Sequence, residues 1–471
     1  MQTEVDVLVI GGGNAAMLAA LAARRAGASV LVLEAANLFM RGGNSRHTRD
    51  IRFMHTTRSK HVTGLYSYDE FWDDLMGVTG GHTQEHLAAL TIRESESLPA
   101  WMEENGVRFQ APLRGTLHLS RTNVFMLGGG RAMVNGYHQT AMRLGVEVLY
   151  EAEAEELHIV DGRFVSAVFT QGGERHRVAA KAVVVASGGF EANVGWLREY
   201  WGDAADNFII RGSPHNTGKM LKTLLAQGAQ PVGDPRQFHA VALDARAPRF
   251  DGGIVTRLDS VPFSIVVNQE AQRFYDEGED FWPKRYAIWG RLIAAQSGQV
   301  AYSIIDHKVL HAFMPSVFPP IRADSLGELA GRLGLDPDAV AATVRRFNAA
   351  VRPGTFDPAA LDGCATEGID PPKRHWAQAI DTPPFYAYPL RCGVTFTYMG
   401  VAVDESARVH RQEGGPFENV FAAGEIMAGN ILTRGYLAGF GLTIGAVFGR
   451  IAGGEAAAWA RGISSRALSS N

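Results

Sequence analysis

Cysteine is almost missing from this chain. Its 471 residues include two, Cys364 and Cys392. Two thiols cannot hold an iron–sulfur cluster or a four-ligand zinc, and no disulfide scaffold is expected of them, nor a metal site. Long hydrophobic runs are missing too. The longest, Tyr436 to Gly449, has 14 residues, five of them glycine or threonine, which is too short to cross a bilayer. There is no excess of one charge: 45 Lys and Arg stand against 49 Asp and Glu, for a net charge of -4. Without a basic block or a basic-aromatic stretch, nothing points to a nucleic acid or another polyanionic polymer. Internal repeats and low-complexity segments are also lacking. A first strand beginning at Val5 leaves no room for a signal peptide, so the expected location is the cytoplasm.

What is present is a core-forming composition, 46% hydrophobic and 20% charged, in a chain long enough for two domains or one domain with an insertion. The segment VDVLVIGGGNAAMLAALAARRAGASVLVLE, residues 5 to 34, reads as strand, glycine turn, helix, strand and terminal acid. Gly11 suits the tight turn, Gly13 allows close approach of a pyrophosphate, and Ala16 lets the helix pack on the strand. The helix N-terminus at Asn14 and Ala15 offers N–H groups to phosphate oxygens. Glu34, followed by Ala35, can accept hydrogen bonds from ribose hydroxyls. Strand, glycines, helix and acid in register make a dinucleotide-binding unit.

Downstream, residues 146 to 190 read as a β-meander containing Ala154, which ends in an apolar strand, Ala182 to Ala186, and the turn Ser187-Gly188-Gly189. Asn419 to Glu425 is another short strand closing on Gly424-Glu425, and a glycine-rich helix start follows. Between about Pro231 and Pro384 prolines cluster and aromatics rise, and Leu326 to Val351 has helical periodicity with Asp336-Pro337 as a start signal. The expected class is α/β. A Rossmann-like FAD-binding domain (1–230 and 385–471) would carry an inserted α+β capping domain (231–384) over its open edge.

These landmarks, in this order, resemble the flavoprotein family of fumarate reductases and succinate dehydrogenases. Gly42-Gly43-Asn44-Ser45 is similar to the family's flavin-contacting loop. Ala186 to Gly189 and Ala422 to Glu425 resemble its two flavin-side turns, and Val266 to Glu277 its cap segment V-N-x-x-G-x-R-F-x-x-E. The resemblance implies FAD bound by Gly11, Gly13, Asn14, Ala15, Ala16, Glu34 and Ala35. It also implies Gly43, Asn44, Ser45, Ala154, Ser187 and Gly188, then Gly424, Glu425, Gly439, Gly441 and Leu442. Because Arg46 separates Ser45 from His47, the imidazole is out of register with the S-H-T segment of relatives that attach flavin covalently, and non-covalent FAD is expected. Within the family, GGNSRHT, FYDEGEDFWPKRY and TFTYMG look most like the FAD-dependent tricarballylate dehydrogenases, which convert tricarballylate to cis-aconitate.

Departures from the family pattern shape the expected site. Thr397, with Tyr398 beside it, stands where a fumarate reductase carries a histidine. The late arginine, Arg434, is shifted from its place before L-G-G-N, with a tyrosine nearby. Arg285 would be the proton carrier, and Lys284 and Tyr398 are alternatives. A tricarboxylate brings about three negative charges, and buried carboxylates need charged or multiple hydrogen-bond partners. The candidates are His239, Arg257, Arg285, Arg391 and Arg434, arginine being suited by its planar fork. In the mechanism the cofactor implies, flavin N5 takes a hydride while a base removes the neighbouring proton. An arginine can be that base only in a crowded cationic site linked to carboxylates such as Glu277, Glu279 or Asp280.

LGGGRAMVNG, residues 127 to 136, imitates a second nucleotide fingerprint, but Met133 fills its third position and a loop is expected instead. Nicotinamide is then not the expected acceptor, and reduced FAD must pass electrons to a separate carrier; the resemblance implies a membrane-associated iron–sulfur protein. Three alternatives stand beside this reading. One is a fumarate reductase or succinate-type enzyme. Another is a 3-ketosteroid dehydrogenase, whose G-Y-x-x-G-x-G-x-T-I-G pattern is similar to Gly435 to Gly445. The third is a non-autonomous electron-transfer flavoprotein subunit of the cobalamin-related kind.

Overall fold

A computed structural model of the protein describes residues 4–113 and 118–463. Strand β1 (Glu4–Ile10) and strand β2 (Val30–Glu34) flank helix α1 (Asn14–Arg25). The strands pair in parallel, Val7 opposite Val30 and Ile10 opposite Leu33. Their residues are almost all buried, as expected for a parallel sheet covered on both faces. Parallel strands continue outward to Glu174–Val185 and Pro416–Ala422 on one side and Glu147–Tyr150 on the other. The meander is observed as antiparallel strands Ala152–Val160 and Arg163–Gln171, attached to the start of Glu174–Val185. The carboxyl ends of four central strands therefore open on one edge, at Gly11, Glu34, Ser187 and Gly424. Open α/β sheets bind ligands along that edge.

The glycine-rich stretch is the buried helix Phe440–Ala460, which lies against α1. A Cβ on Gly449 would sit 2.5 Å from the Ala15 carbonyl oxygen, and one on Gly453 2.1 Å from that of Ala19. Small residues on both helices allow this backbone contact.

A second, mostly antiparallel sheet is ordered Phe238–Asp244, Phe385–Thr397, Val300–Asp306, Ile265–Val267. Ile209–Ile210 and Ile321–Ala323 also pair with the long strand Phe385–Thr397. This sheet thus draws strands from outside 231–384. Helices Leu326–Leu333 and Pro337–Ala350 cover one face through Leu329, Val340, Val344 and Phe347. The expected single periodic run is broken by Gly334 at φ +71°, and Asp336 caps the second helix by accepting from the Asp338 N–H.

One expectation is corrected. Residues 129–143 are a helix, Gly129–Arg143, with the left-handed Gly128 as its N-cap, not a loop. A Cβ on Gly130 would stand 2.0 Å from the Ser45 carbonyl. The glycines let this helix end press against the 43–47 turn, and they serve packing between protein segments. Among the described residues no helix is long and apolar enough to cross a membrane, and no group of metal-ligating side chains occurs. Cys364 and Cys392 are buried and unpaired.

Candidate active site

One long cavity runs from the carboxyl edge of the parallel sheet to the second sheet. Its walls change character along the way.

At the first end the wall is mainly backbone. Gly11 holds φ +115°, and a Cβ there would lie 2.4 Å from the Ala186 carbonyl oxygen. A Cβ on Gly12 would overlap the Glu34 carboxylate at 2.1 Å, whereas one on Gly13 meets nothing nearer than 3.3 Å. The Ser45 hydroxyl accepts the first helical N–H, from Asn14, at 3.0 Å. Glu34 is buried and accepts the N–H groups of Ala36 and Gly42 at 2.8 and 3.3 Å. Burial raises its pKa above the ordinary value. Asn14 donates to the Leu442 carbonyl, which leaves its Oδ1 buried without a protein partner. These features fit FAD: a glycine floor for the pyrophosphate, an acid for the ribose and a free acceptor for a ligand hydroxyl.

Of the expected cofactor residues, Gly11, Gly13, Asn14, Ala15, Glu34 and Ala35 line this cavity, as do Gly43, Asn44, Ser45 and Ala154. Ser187, Gly188, Gly424 and Glu425 line it from the two turns, and Gly439, Gly441 and Leu442 from the late segment. Ala16 does not. It is fully buried in α1, in keeping with a packing role.

Midway, Glu191 and Glu425 meet. The Asn44 and Asn216 amides donate to Glu191 Oε1 at 2.5 and 2.6 Å. The Thr397 N–H and hydroxyl donate to Glu425 Oε1 at 2.7 and 3.0 Å. Burial first, then the neighbouring Glu191, drives the Glu425 pKa well up.

The far end is built of side chains from six separate segments. Arg49, Arg211, His239, Arg257, Tyr286 and Tyr436 line it together with Asp50. Arg257 Nη2 pairs with Asp259 at 2.8 Å, and Arg49 lies 3.6 Å from the same carboxylate. Trp282 Nε1 donates to Asp259 at 2.7 Å. Arg211 differs from both. It is 5% exposed, its Nε donates to the Thr395 hydroxyl at 3.0 Å, and Nη1 has no partner. Among the described residues it makes no ion pair. Burial, helped by Arg257 and Arg49, pushes its pKa down to about 10. For Arg257 burial also pulls down, but Asp259 outweighs it and the net shift is upward.

His239 stacks on Tyr436 with ring centres 4.0 Å apart and takes the Tyr286 ring edge-on at 5.1 Å. Neither of its ring nitrogens has a partner. Burial and then Arg211 and Arg257 drive its pKa well below the ordinary value, so the imidazole is neutral at pH 7. Burial pushes the Tyr286 hydroxyl up to about 12, with the Arg257 guanidinium 4.8 Å over its ring.

Of the expected catalytic residues, the structure brings His239 and Arg257 into the cavity and leaves the others out. Thr397 stands behind the wall as the donor to Glu425. The Tyr398 hydroxyl is buried and donates to the Gly435 carbonyl at 2.8 Å. Arg285 is held outside by Glu279 at 3.0 Å. Arg391 is partly exposed and donates to the Gly298 carbonyl at 3.2 Å. Arg434 is exposed, with its guanidinium near Gly80. The shift of Arg434 in sequence has a direct consequence, because Tyr436, the residue before Leu437-Ala438-Gly439, fills the cavity instead. Arg49 and Arg211 carry no sequence signal of this role: one follows the flavin loop closely, and the other follows a strand of only two residues. His47, 2.7 Å from Asp251, does not line the cavity.

Comparison with known proteins agrees with this geometry. Residues 6–442 match the FAD binding domain family, so the chain belongs to it, within the fumarate reductase/succinate dehydrogenase flavoproteins, and FAD is its cofactor. The chain is 27% identical to the NADH:fumarate oxidoreductase of Klebsiella pneumoniae, over 97% of this chain but 48% of that protein, so it spans about half that relative's length. It is 26% identical to the 4-oxocyclohexanecarboxylate 2-dehydrogenase of Sinomonas cyclohexanicum, over 97% of this chain and 94% of that one. The fold is shared with the 3-ketosteroid-delta4-(5alpha)-dehydrogenase of Rhodococcus jostii RHA1. That likeness has a TM-score of 0.74 at 23% identity and covers 97% of both chains.

Proposed function

We propose that this FAD-binding protein is a dehydrogenase of a small tricarboxylate, taking tricarballylate to cis-aconitate and passing the electrons to a separate carrier, a membrane-associated iron–sulfur protein. Arg211 carries the reading. A buried guanidinium with no carboxylate partner is costly unless a ligand supplies the anion. Arg49 and Arg257 flank it. Arg49 lies between Asp50 and Asp259, Arg257 pairs with Asp259, and the buried Arg257 Nε has no partner. Three guanidiniums around one space favour several carboxylates over one. The neutral His239 offers one N–H and one lone pair to the same ligand.

Bound FAD supplies the two-electron oxidant that accepts a hydride from the substrate carbon. The protein's part is to hold the adjacent carboxylate against cations, which stabilise the enolate-like charge that builds up as the neighbouring proton leaves. Tyr286, Tyr436 and Phe396 wall the cavity and exclude water. Arg285 remains our proton carrier. It directly precedes the cavity-lining Tyr286, its Nε is unpartnered and Glu279 is its carboxylate link. A rotation of the short turn Trp282–Arg285 is needed to bring it in.

A second reading has its own support. Tyr286, Tyr436 and the neutral His239 form a set of uncharged donors suited to a ketone oxygen, and one relative is named for a keto-acid, 4-oxocyclohexanecarboxylate. A plain 3-ketosteroid would leave the Arg211 guanidinium unmatched. The test is anaerobic flavin reduction by tricarballylate, succinate, 4-oxocyclohexanecarboxylate and a 3-ketosteroid in parallel. Tricarballylate should be fastest, and a faster keto-acid or steroid would replace the first reading. Turnover of the isolated chain with an artificial acceptor checks that it is an enzyme on its own.

A further inference from the structure

The carboxyl pair midway along the cavity is used by nothing described so far. Glu191 follows the turn after strand Glu174–Val185, and Glu425 follows the turn after Pro416–Ala422. These strands are adjacent and parallel, with Val185 opposite Ala422, so two sheet ends deliver two acids to one place. The two carboxyls lie close enough to act directly on each other. Both residues are buried, at 0% and 8% exposure. The donors that reach them, from Asn44, Asn216 and Thr397, are all neutral. Glu191 Oε2 receives no protein donor. Among the described residues neither carboxyl forms an ion pair.

Ionised carboxylates only accept hydrogen bonds, so a bond between two of them requires a proton. Two bare charges in contact in a buried site with no cation are excluded by repulsion and desolvation together. Two protons would leave the four neutral donors without a charge to stabilise. We propose that Glu191 and Glu425 share one proton and keep one negative charge beside the flavin site, and that this charge lowers the flavin reduction potential. Glu425, Asn44 and Asn216 all line the cavity. The charge opposes the electrons that reduction adds, and it counters the pull of the arginine end. Both residues act through the electrostatics of the site and are positioning residues in that sense. The inference rests on FAD binding and is independent of the substrate.

Glutamine substitution separates the proton from the charge. In Glu191→Gln or Glu425→Gln, the amide N–H replaces the shared proton and the remaining carboxylate keeps the charge. The double variant is neutral. The midpoint potential of the holoprotein should change little in either single variant and rise in the double variant. The expected rise is about tenfold or more in the reduced-to-oxidised ratio, about 30 mV for a two-electron couple. A single variant that shifts as far as the double, or a double variant that does not shift, would overturn the proposal. Infrared spectroscopy gives a second readout that does not need flavin. The wild type should show the deuterium-sensitive carbonyl stretch of a buried protonated carboxyl, absent from both single variants. If the double variant failed to bind FAD, the infrared result would decide: the same band persisting unchanged in both single variants would sink the shared proton.

Discussion

At one end of the cavity the wall is backbone held by glycine, and at the other it is long side chains gathered from six segments. The glycine end is built within about thirty consecutive residues plus three short turns, mainly from backbone atoms with the side chains of Asn14, Glu34 and Ser45 beside them. The arginine end depends on which side chain happens to point inward from strands and turns far apart in sequence. The first tolerates almost no change of shape, and the second no change of charge. These are different kinds of constraint, and they fail differently when perturbed.

The largest expected effect comes from breaking the backbone end. Gly11→Ala puts a Cβ 2.4 Å from the Ala186 oxygen at a φ of +115°. It should cost roughly 2–4 kcal/mol of stability and give colourless protein. Gly13→Ala, whose Cβ meets nothing nearer than 3.3 Å, should stay yellow, and a bulkier residue there should yield apoprotein. If both alanine variants retain FAD equally, the geometric account of this end is wrong. Acid precipitation of the wild type should release all the colour, because His47 is tied to Asp251 outside the cavity.

The arginine end should break by charge. Arg211→Leu should weaken substrate binding by roughly 2–4 kcal/mol, the loss of a buried charge-assisted pair. The same variant should melt at a higher temperature without substrate, because a buried charge lacking a partner has been removed. Substrate titration of the flavin absorbance and a thermal melt check both arms, and a destabilised variant would mean that Arg211 has a charged partner inside the protein.

A smaller, graded effect is expected from pH. The folded protein holds Arg211 near a pKa of about 10, below the ordinary arginine value, because of burial and its cationic neighbours. Only the protonated guanidinium clamps a carboxylate, so affinity should be flat below about pH 9 and fall as pH rises through about 10. Bound anion raises that pKa by linkage, so affinity should go on falling with pH until the higher pKa of the complex is reached. Affinity that begins to fall at the same pH in Arg49→Gln and Arg257→Gln variants as in the wild type would argue that neighbouring cations do not set it.

The smallest effects sharpen the comparison by their absence. Arg391→Ala and Arg434→Ala should change substrate affinity by less than about 0.5 kcal/mol. Both side chains sit outside the cavity, at the Gly298 carbonyl and near Gly80. Tyr436→Phe tests the other half of that exchange. It removes the hydroxyl that accepts the Gly441 N–H at 2.9 Å and should weaken binding by roughly 1 kcal/mol. A large loss in Arg434→Ala would return the clamp to the residue the family pattern favours.

The fate of particular residues shows where sequence is informative. Gly11, Glu34, Asn44 and Glu425 were readable because a turn, a strand end or a motif fixes the position of each within a few residues. Gly128 to Gly130 misled because glycine permits a helix end to pack tightly as readily as it permits a loop, and only the neighbouring Ser45 carbonyl decides between them. Arg434 and Tyr436 are two residues apart, and nothing local says which one faces inward. Arg211 sits after Ile209–Ile210, whose strand exists only because Phe385–Thr397 pairs with it.

By itself, then, the sequence determined the parallel βαβ unit, its glycine turn and the FAD-side motifs, because local backbone geometry and burial periodicity are written in consecutive residues. The cationic end of the cavity was decided by tertiary structure. Arg49, Arg211 and Arg257 act together only once the second sheet and the carboxyl edge of the first line one cavity, and the burial of Arg211 without a counter-ion is a property of that assembly.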